Sequence, residues 1–278
     1  MNKRGLASGQ GSLSPAGKPL ALSPRLPMGP LHFRLLATTL LVPLAAAADS
    51  PRGTPPVAPA PAAADDDSWI EAVRGSVAPG SWVSEMRASF RVPRSPSSAG
   101  QLLYFFPGLQ PRVGRVIIQP VLRFQDDGWS ILSERAHGVG GRDVETHSAI
   151  VPTAPGHMIA GRMRSSACNR SGVCTWTITT SDLTSGESTT LTEEDSVPYA
   201  LYFAGVLEAY GVTRCSQYPE DGSIVFDDVS VYDEDGDRLP VGRDDWIRPS
   251  LEPWCHFGTS GPPVAPAPDA VTLYFGTR

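Results

Sequence analysis

Apolar and polar residues alternate with the two-residue period of β-strands along most of residues 69–232. No stretch longer than about eleven residues keeps an apolar stripe at helical spacing without Gly or Pro interrupting it. Turn residues separate the apolar runs at intervals of about ten residues. The pattern predicts strands at residues 81–92, 101–106, 116–124, 129–132, 147–151, 158–163, 173–180, 201–212 and 224–232.

Short strands at this spacing are typical of a sandwich or barrel and not of βαβ units. With 27 glycines and 28 prolines, the chain has residues for many turns and loops. We therefore predict an all-β fold, an antiparallel two-sheet β-sandwich of concanavalin A-like or jelly-roll type.

The composition changes along the 278 residues and predicts four segments. Residues 1–48 combine five basic residues with a short apolar run and small residues, which indicates a secretory signal peptide or leader. An uncleaved tail is the alternative. Residues 49–67 are rich in Pro, Ala and Asp and predict a linker or propeptide. The sandwich is expected at residues 68–258, followed at 259–278 by a Pro-rich linker and a C-terminal strand or tail.

Charge narrows the choice of partners. The chain has 23 basic and 29 acidic residues, and without the five cations of residues 1–48 the balance is 18 to 29, a net charge of −11. Such a protein repels nucleic acids and anionic membranes, so we expect neither as a partner. The apolar run of the leader is shorter than a membrane span needs. A secreted monomer is the expectation.

Four cysteines follow the leader, an even number that predicts disulfides in an exported chain. Cys168 and Cys174 are close enough to close a short loop, which would leave Cys215 to pair with Cys255. The rival pairing joins Cys174 to Cys215. In either case Cys215 is bonded. The spacings do not suit a zinc site.

Gln119 is the one polar residue in the apolar run 116–122. Burying an amide among aliphatic side chains costs free energy unless the amide is hydrogen-bonded or lies in a cleft. Strand alternation places it on the face of Ile117 and Val121. Pro120 cannot donate a ladder hydrogen bond, which suggests a sheet edge or a bulge nearby. A glutamine satisfied by backbone groups inside the core is the alternative.

Glu208 is a second polar residue in an apolar run, at 199–212. It shares a strand face with Val206 and Tyr210. Desolvation among apolar groups disfavours the charge of a carboxylate and suits it to acid–base chemistry. A glutamate at a strand end that reaches solvent is the alternative.

In order and rough spacing, Gln119 and Glu208 resemble the glutamine–glutamate dyad of the glutamic peptidases, or eqolisins. The resemblance implies a secreted acid endopeptidase that acts on polypeptides without a cofactor. It implies that Glu208 activates the attacking water and that Gln119 donates to the oxyanion. This chain departs from the family in its Gln-Pro pair at 119–120 and in a Glu208 strand that lacks the family's tryptophan.

Other residues are candidates for substrate binding. The family places a tryptophan and an acid on the strand after the glutamine, and Trp129 and Glu134 stand in that run here. Tyr210 accompanies Glu208, and Trp69 and Trp82 could line a groove because indole offers flat apolar area with one polar group. Placement in the core is the alternative for the tryptophans.

Two other functions stay open on the sequence. A sandwich of this class also suits a non-catalytic glycan-binding module. A polysaccharide lyase is the third, because Tyr202–Val206 is similar to a motif of the alginate lyases with its lysine missing. Carboxylates at 233, 235 and 237 resemble a calcium loop but read above all as a turn, so we expect no metal.

Overall fold

The computed structural model describes residues 68–139, 142–195, 197–241, 244–247, 255, 257–260 and 269–276. The predicted leader and linker at 1–67 lie outside the described residues. The strands, in chain order, are β1 (Trp69–Ser76), β2 (Val83–Arg91), β3 (Leu102–Gln110), β4 (Val116–Gln125), β5 (Gly128–Val139), β6 (Arg142–His147), β7 (Val151–Thr153), β8 (Met158–Ser166), β9 (Thr175–Asp182), β10 (Ser188–Glu194), β11 (Leu201–Tyr210), β12 (Ser223–Asp233), β13 (Arg238–Leu239), β14 (Asp244–Ile247), β15 (Gly258–Ser260) and β16 (Val271–Tyr274).

These strands form two antiparallel sheets. Sheet A has the order β14-β1-β11-β3-β4-β5-β6, with β7 beside β5. Sheet B has the order β10-β9-β8-β2-β12-β16-β15, with β13 beside β12. In the described part of the chain helical conformation is limited to a 3₁₀ turn at Cys215–Gln217 and the single residue Ser68. The all-β sandwich predicted from the alternating pattern is confirmed.

Sheet A is apolar on both faces. Its inner face, which points toward sheet B, places Phe105 and Leu122 in one core with Met163 and Phe226 of sheet B. Successive strand residues point to opposite sides. Their neighbours in sequence therefore form a second, smaller cluster on the outer face, away from sheet B: Ala72, Phe106, Ile117, Val121, Leu132, Phe203 and Val206.

Two prolines lie inside sheet A, where the sequence suggested an edge or a break. Pro107 belongs to β3 and Pro120 to β4. Because β4 lies between β3 and β5, the sheet edge, one of the two alternatives expected near Gln119, is wrong. Paired residues of β3 and β4 lie on either side of both prolines, where the missing N–H groups are not needed. The Pro120 ring packs on Gly161 of β8, where an added Cβ would lie 2.5 Å from the ring.

The strand pattern was weakest where polar residues build the strands. β10 was not predicted, because Ser188–Glu194 is rich in Thr and Glu and has one apolar residue, Leu191. It lies at the edge of sheet B with one face exposed, while Thr189 on the other face is buried and its hydroxyl donates to the Ala149 carbonyl at 2.7 Å. The strand predicted at 147–151 is instead a loop between β6 and β7.

The disulfides are Cys168–Cys174 and Cys215–Cys255. Cys215 is therefore bonded as predicted, and the rival pairing of Cys174 with Cys215 is wrong. β16 pairs with β12, so residues 271–274 are part of sheet B. In the described residues no helix is long and apolar enough to cross a membrane.

Candidate active site

A cleft of about 80 Å³ lies over the outer face of sheet A. That volume is enough for a few water molecules. Its floor comes from the apolar cluster of the outer face, and its walls are mostly polar. The residues that line it are Ser68, Trp69, Tyr104, Gln110, Arg115, Ile117, Gln119, Glu134, Ala136, His137, Glu145, Glu208 and Tyr210. The cleft thus contains Gln119, Glu134, Glu208 and Tyr210, all of which the sequence singled out.

Gln119 and Glu134 face each other across the β4–β5 hairpin. The hairpin turns at Asp126 and Asp127, whose φ angles are 51° and 62°, as a two-residue turn of type I′ requires. That turn pairs Gln125 with Gly128. The register of the two strands continues unchanged from this pair, so that Gln119 lies opposite Glu134. There the Gln119 amide Nε2 donates to Glu134 Oε1 at 3.0 Å.

Glu208 reaches the same cleft from β11, two strands away from β4. Its neighbours across the ladders are Trp69 of β1 and Tyr104 of β3. Ser68 Oγ donates to Glu208 Oε1 at 2.8 Å, and the Tyr210 hydroxyl donates to the same oxygen. Two hydroxyls therefore hold this carboxyl in one orientation.

The side chains of Gln119 and Glu134 are almost inaccessible to solvent and incompletely hydrogen-bonded. Gln119 and Glu134 are each 3% exposed, and Glu208 is 9% exposed. Among the described residues, Gln119 Oε1 and Glu134 Oε2 have no hydrogen-bond partner. A buried polar atom without a partner costs free energy, and such atoms in a cleft are those expected to meet water or a ligand.

Three groups of the cleft have a raised pKa, namely Glu134, Tyr104 and Tyr210. Burial, with the nearby charges of Glu145 and Glu208, raises the pKa of Glu134 to about 8. Burial and the Glu208 carboxyl also raise the pKa of the Tyr210 hydroxyl. The pKa of Tyr104 is raised in the same way, by burial first and then by the charge of Glu134. Glu134 is therefore neutral across the acidic and neutral pH range.

Two of the residues proposed for substrate binding lie elsewhere. Trp129 is in the core between the sheets, with its ring 5.0 Å from Phe124 and 6.1 Å from Phe105. Trp82 lines a separate surface pocket beside Pro111 and Pro198. Neither side chain lines the cleft.

Several residues of the cleft were not singled out from the sequence. Trp69 was named there only as a possible groove residue, and Ser68, Tyr104, Arg115, His137 and Glu145 were not proposed for the cleft. One signal was available, because counting back from a two-residue turn at Asp126–Asp127 pairs Gln119 with Glu134. The contacts between β1, β3 and β11 join residues that are distant in sequence, so no turn indicates which of their residues pair.

The acidic loop after β12 serves as a turn. Asp233 Oδ1 accepts hydrogen bonds from the backbone N–H groups of Asp235 and Asp237 and closes the hairpin to β13. Throughout the described ranges no group of three or more His, Cys, Asp or Glu side chains is placed to hold a metal ion.

Comparison with known proteins supports the fold. No family model and no curated protein sequence matches the chain. Among solved structures, scytalido-glutamic peptidase with a transition state analog inhibitor matches at a TM-score of 0.51, and the same peptidase with a peptide based transition state analog at 0.53. Both are 16% identical and cover 75% of this chain and 98% of the other. A member of the eqolisin family of peptidases, SCP-B with the tripeptide Ala-Ile-His, gives a TM-score of 0.48 at 15% identity.

At this level of identity the likeness concerns the fold. The chain therefore has the sandwich fold of the scytalido-glutamic peptidases and a distant resemblance to their family.

Proposed function

We propose that the chain is a secreted glutamic-type endopeptidase that hydrolyses polypeptides with Glu208 and Gln119. The observation that carries the proposal is their convergence. A buried carboxyl and a buried amide from strands that are distant in sequence line one small polar cleft on the outer face of sheet A. Neither is needed there to build a core.

In the first step Glu208 takes a proton from a water molecule in the cleft, and the oxygen of that water attacks the scissile carbonyl carbon. The orientation of Glu208 is set by the hydroxyls of Ser68 and Tyr210. Gln119 Oε1, which lacks a partner in the described structure, accepts the other hydrogen of the water. A positioned base of this kind contributes about 10²–10⁴-fold to a rate.

The negative charge that develops on the carbonyl oxygen needs a donor. The Gln119 amide has two N–H groups, and one of them is used by Glu134 Oε1. The second N–H donates to the oxyanion. As the tetrahedral intermediate collapses, Glu208 returns its proton to the leaving amine and the C–N bond breaks, so that the products are one carboxylic acid and one amine.

The ionisation of Glu134 sets an upper limit to the working pH range. Because the pKa of Glu134 is raised to about 8, this carboxyl is neutral in acid and adds no negative charge beside Glu208 or the oxyanion. Ionisation of Glu134 at higher pH would place such a charge in the cleft, where it would oppose the chemistry.

Substrate and location are parts of the same proposal. Two matched structures hold a transition state analog inhibitor and a peptide based transition state analog, which supports a polypeptide substrate. Both disulfides are closed, as expected in an oxidising compartment outside the cell.

The lyase alternative loses support. Tyr202, the tyrosine of the motif that suggested it, is 2% exposed in the core, and its hydroxyl donates to the Pro240 carbonyl. A glycan-binding module is the remaining alternative, and peptide digestion distinguishes it from a peptidase.

The test is digestion of a peptide library at several acidic pH values by wild type, Glu208→Gln and Glu71→Gln. Glu71 is a matched control, because it is a buried glutamate of the same sheet outside the cleft. We expect wild type and Glu71→Gln to cleave and Glu208→Gln to lose nearly all activity while staying folded. Equal cleavage by wild type and Glu208→Gln, or no cleavage by folded wild type, contradicts the proposal. In the second case binding to a glycan array becomes the next measurement.

A further inference from the structure

Glu134 is the buried group of the cleft that the two-residue mechanism leaves without a chemical task. Its Oε1 accepts a hydrogen bond from Gln119 Nε2 at 3.0 Å, which explains one oxygen. Its Oε2 has no partner among the described residues, although the side chain is 3% exposed. A buried oxygen with no partner is a costly arrangement for a residue that only supports Gln119.

The surroundings of Glu134 favour a proton on this carboxyl. Two other carboxyls face it, Glu145 from β6 and Glu208 from β11, and one guanidinium opposes them, that of Arg123. Burial acts in the same direction as the two carboxyls and is the largest cause. The other titratable side chains of the cleft are Tyr104, Arg115, His137 and Tyr210.

The position of the proton follows from the hydrogen bonds. Oε1 receives an N–H and therefore acts as the carbonyl oxygen of the neutral acid. The hydroxyl is then at Oε2, the oxygen that lacks an acceptor in the described structure. A neutral carboxylic acid held in an apolar setting is a strong hydrogen-bond donor.

We propose that Glu134 is a third catalytic residue, a neutral carboxylic acid whose Oε2–H donates to the oxyanion beside the amide of Gln119. The inference rests on the proposed peptidase function and deepens it. The proton stays on Glu134 throughout. The hydrogen bond strengthens as charge develops on the carbonyl oxygen and weakens when the intermediate collapses, so that no bond of Glu134 is made or broken.

The donor role of Glu134 differs from two simpler roles, that of orienting Gln119 and that of acting as a carboxylate. If Glu134 served only to orient Gln119 through Oε1, any side chain with an acceptor at that place would suffice. If it acted as a carboxylate, its charge would repel the oxyanion, and the loss of that charge would not be harmful. A donor role requires that one polar atom of the side chain at position 134 accepts from Gln119 and that the other carries a hydrogen. A glutamine at this position also meets both requirements.

The experiment compares Glu134→Gln, Glu134→Asp and Glu134→Ala with wild type, and uses Glu71→Gln as the control. Glu71 is again matched, since it is buried, has its pKa raised to about 9 and has one oxygen without a partner, but lies outside the cleft. We expect Glu134→Ala to lower kcat by about 10²–10³-fold, the usual loss for one oxyanion donor. Glu134→Gln should stay within about tenfold of wild type, because its amide can accept from Gln119 and donate from Nε2. Glu134→Asp should fall in between, because its carboxyl is set back by one methylene.

The pH profile gives a readout that a structural role would not change. Wild-type kcat should fall as Glu134 ionises at a pH of about 8. Since glutamine does not ionise, Glu134→Gln should keep its rate to higher pH than wild type and Glu71→Gln. A Glu134→Gln variant as inactive as Glu134→Ala, or a Glu134→Ala variant with wild-type kcat, overturns the inference while Glu208→Gln still tests the peptidase function separately.

A spectroscopic arm needs no turnover. Infrared difference spectra of wild type minus Glu134→Gln should show one protonated carboxyl at a pH of about 6, where ordinary glutamates are ionised. An ionised Glu134 at that pH overturns the inference, whatever the result of the peptide digestion.

Discussion

The two faces of sheet A are built by the same strands and do different work. On the inner face Phe105 and Leu122 are packed between the sheets, and their burial stabilises the fold. On the outer face the next residues along the strands form a small apolar floor, and Gln119 stands on it with an oxygen that lacks a partner. The contrast shows that strand alternation alone separates the stability of this molecule from its proposed chemistry. Substitutions on the two faces should therefore have separable effects.

The largest effect on activity without a loss of fold is expected on the outer face. Gln119→Ala should lower kcat by about 10²–10³-fold, because one oxyanion donor is lost. Gln101→Ala is the matched control, a buried glutamine outside the cleft whose amide donates to the Ser98 carbonyl. Steady-state kinetics together with thermal unfolding of both variants gives the comparison. Equal loss of activity in the two would remove Gln119 from the site.

The inner face should show the opposite behaviour. Leu122→Ala should reduce the free energy of unfolding by about 2–5 kcal/mol, through lost transfer energy and a cavity. Its activity per folded molecule should be close to that of wild type, because Leu122 points away from the cleft. Urea unfolding and kcat below the unfolding transition measure the two quantities. A large loss of kcat in fully folded Leu122→Ala would mean that the two faces are not separable.

Glu71, the buried glutamate outside the cleft, should make the stability of the protein depend on pH. Glu71 accepts the Gly258 N–H at 3.2 Å, and burial raises its pKa from 4.5 to about 9. The folded state then holds a proton that the unfolded state releases, so wild-type stability should fall between pH 4.5 and about 9. The slope for one proton is at most about 1.4 kcal/mol per pH unit. Glu71→Gln should flatten this fall in urea titrations at several pH values, and an unchanged slope would exclude Glu71 as its cause.

The smallest effect is expected from the orientation of Glu208. Tyr210→Phe removes one of the two hydroxyls that donate to its Oε1 and leaves that of Ser68. We expect a loss of about three- to tenfold in kcat with KM little changed, since one hydrogen bond to a carboxylate is lost. The exposed hydroxyl pair Thr179–Thr190 on sheet B offers a control in Thr179→Val. A loss greater than that of Gln119→Ala would require a direct role for Tyr210.

The alternation of the sequence was sufficient for the fold class and for the strand faces of Gln119 and Glu208, because both depend on the two-residue period. It was insufficient for the cleft. The sequence interpretation left Gln119 and Glu134 as separate candidates, although the register of their hairpin is local. Ser68 meets Glu208 across 140 positions, and no local pattern carries such a contact. Trp129 was proposed for the cleft because of its place in the run, but its strand turns it inward.

The same limit explains the prolines. A proline within an apolar run normally indicates an edge, because the ring removes a ladder donor. Pro107 and Pro120 instead occupy neighbouring strands of one sheet interior, where each stands at a gap in the pairing. The sequence of one strand cannot show that the two prolines face the same gap, because this depends on how β3 and β4 pair. The gap lies directly beside Gln119.

The central claim is that Gln119 and Glu208 act on one water molecule as a unit. The most direct test is a kinetic cycle of wild type, Gln119→Ala, Glu208→Gln and the double variant on one acid-cleaved peptide. Residues that serve the same step are strongly non-additive. We predict that the residual rate of the double variant equals that of Glu208→Gln alone. A double variant slower than Glu208→Gln by the full factor of Gln119→Ala would contradict the claim, because the two residues would then act independently.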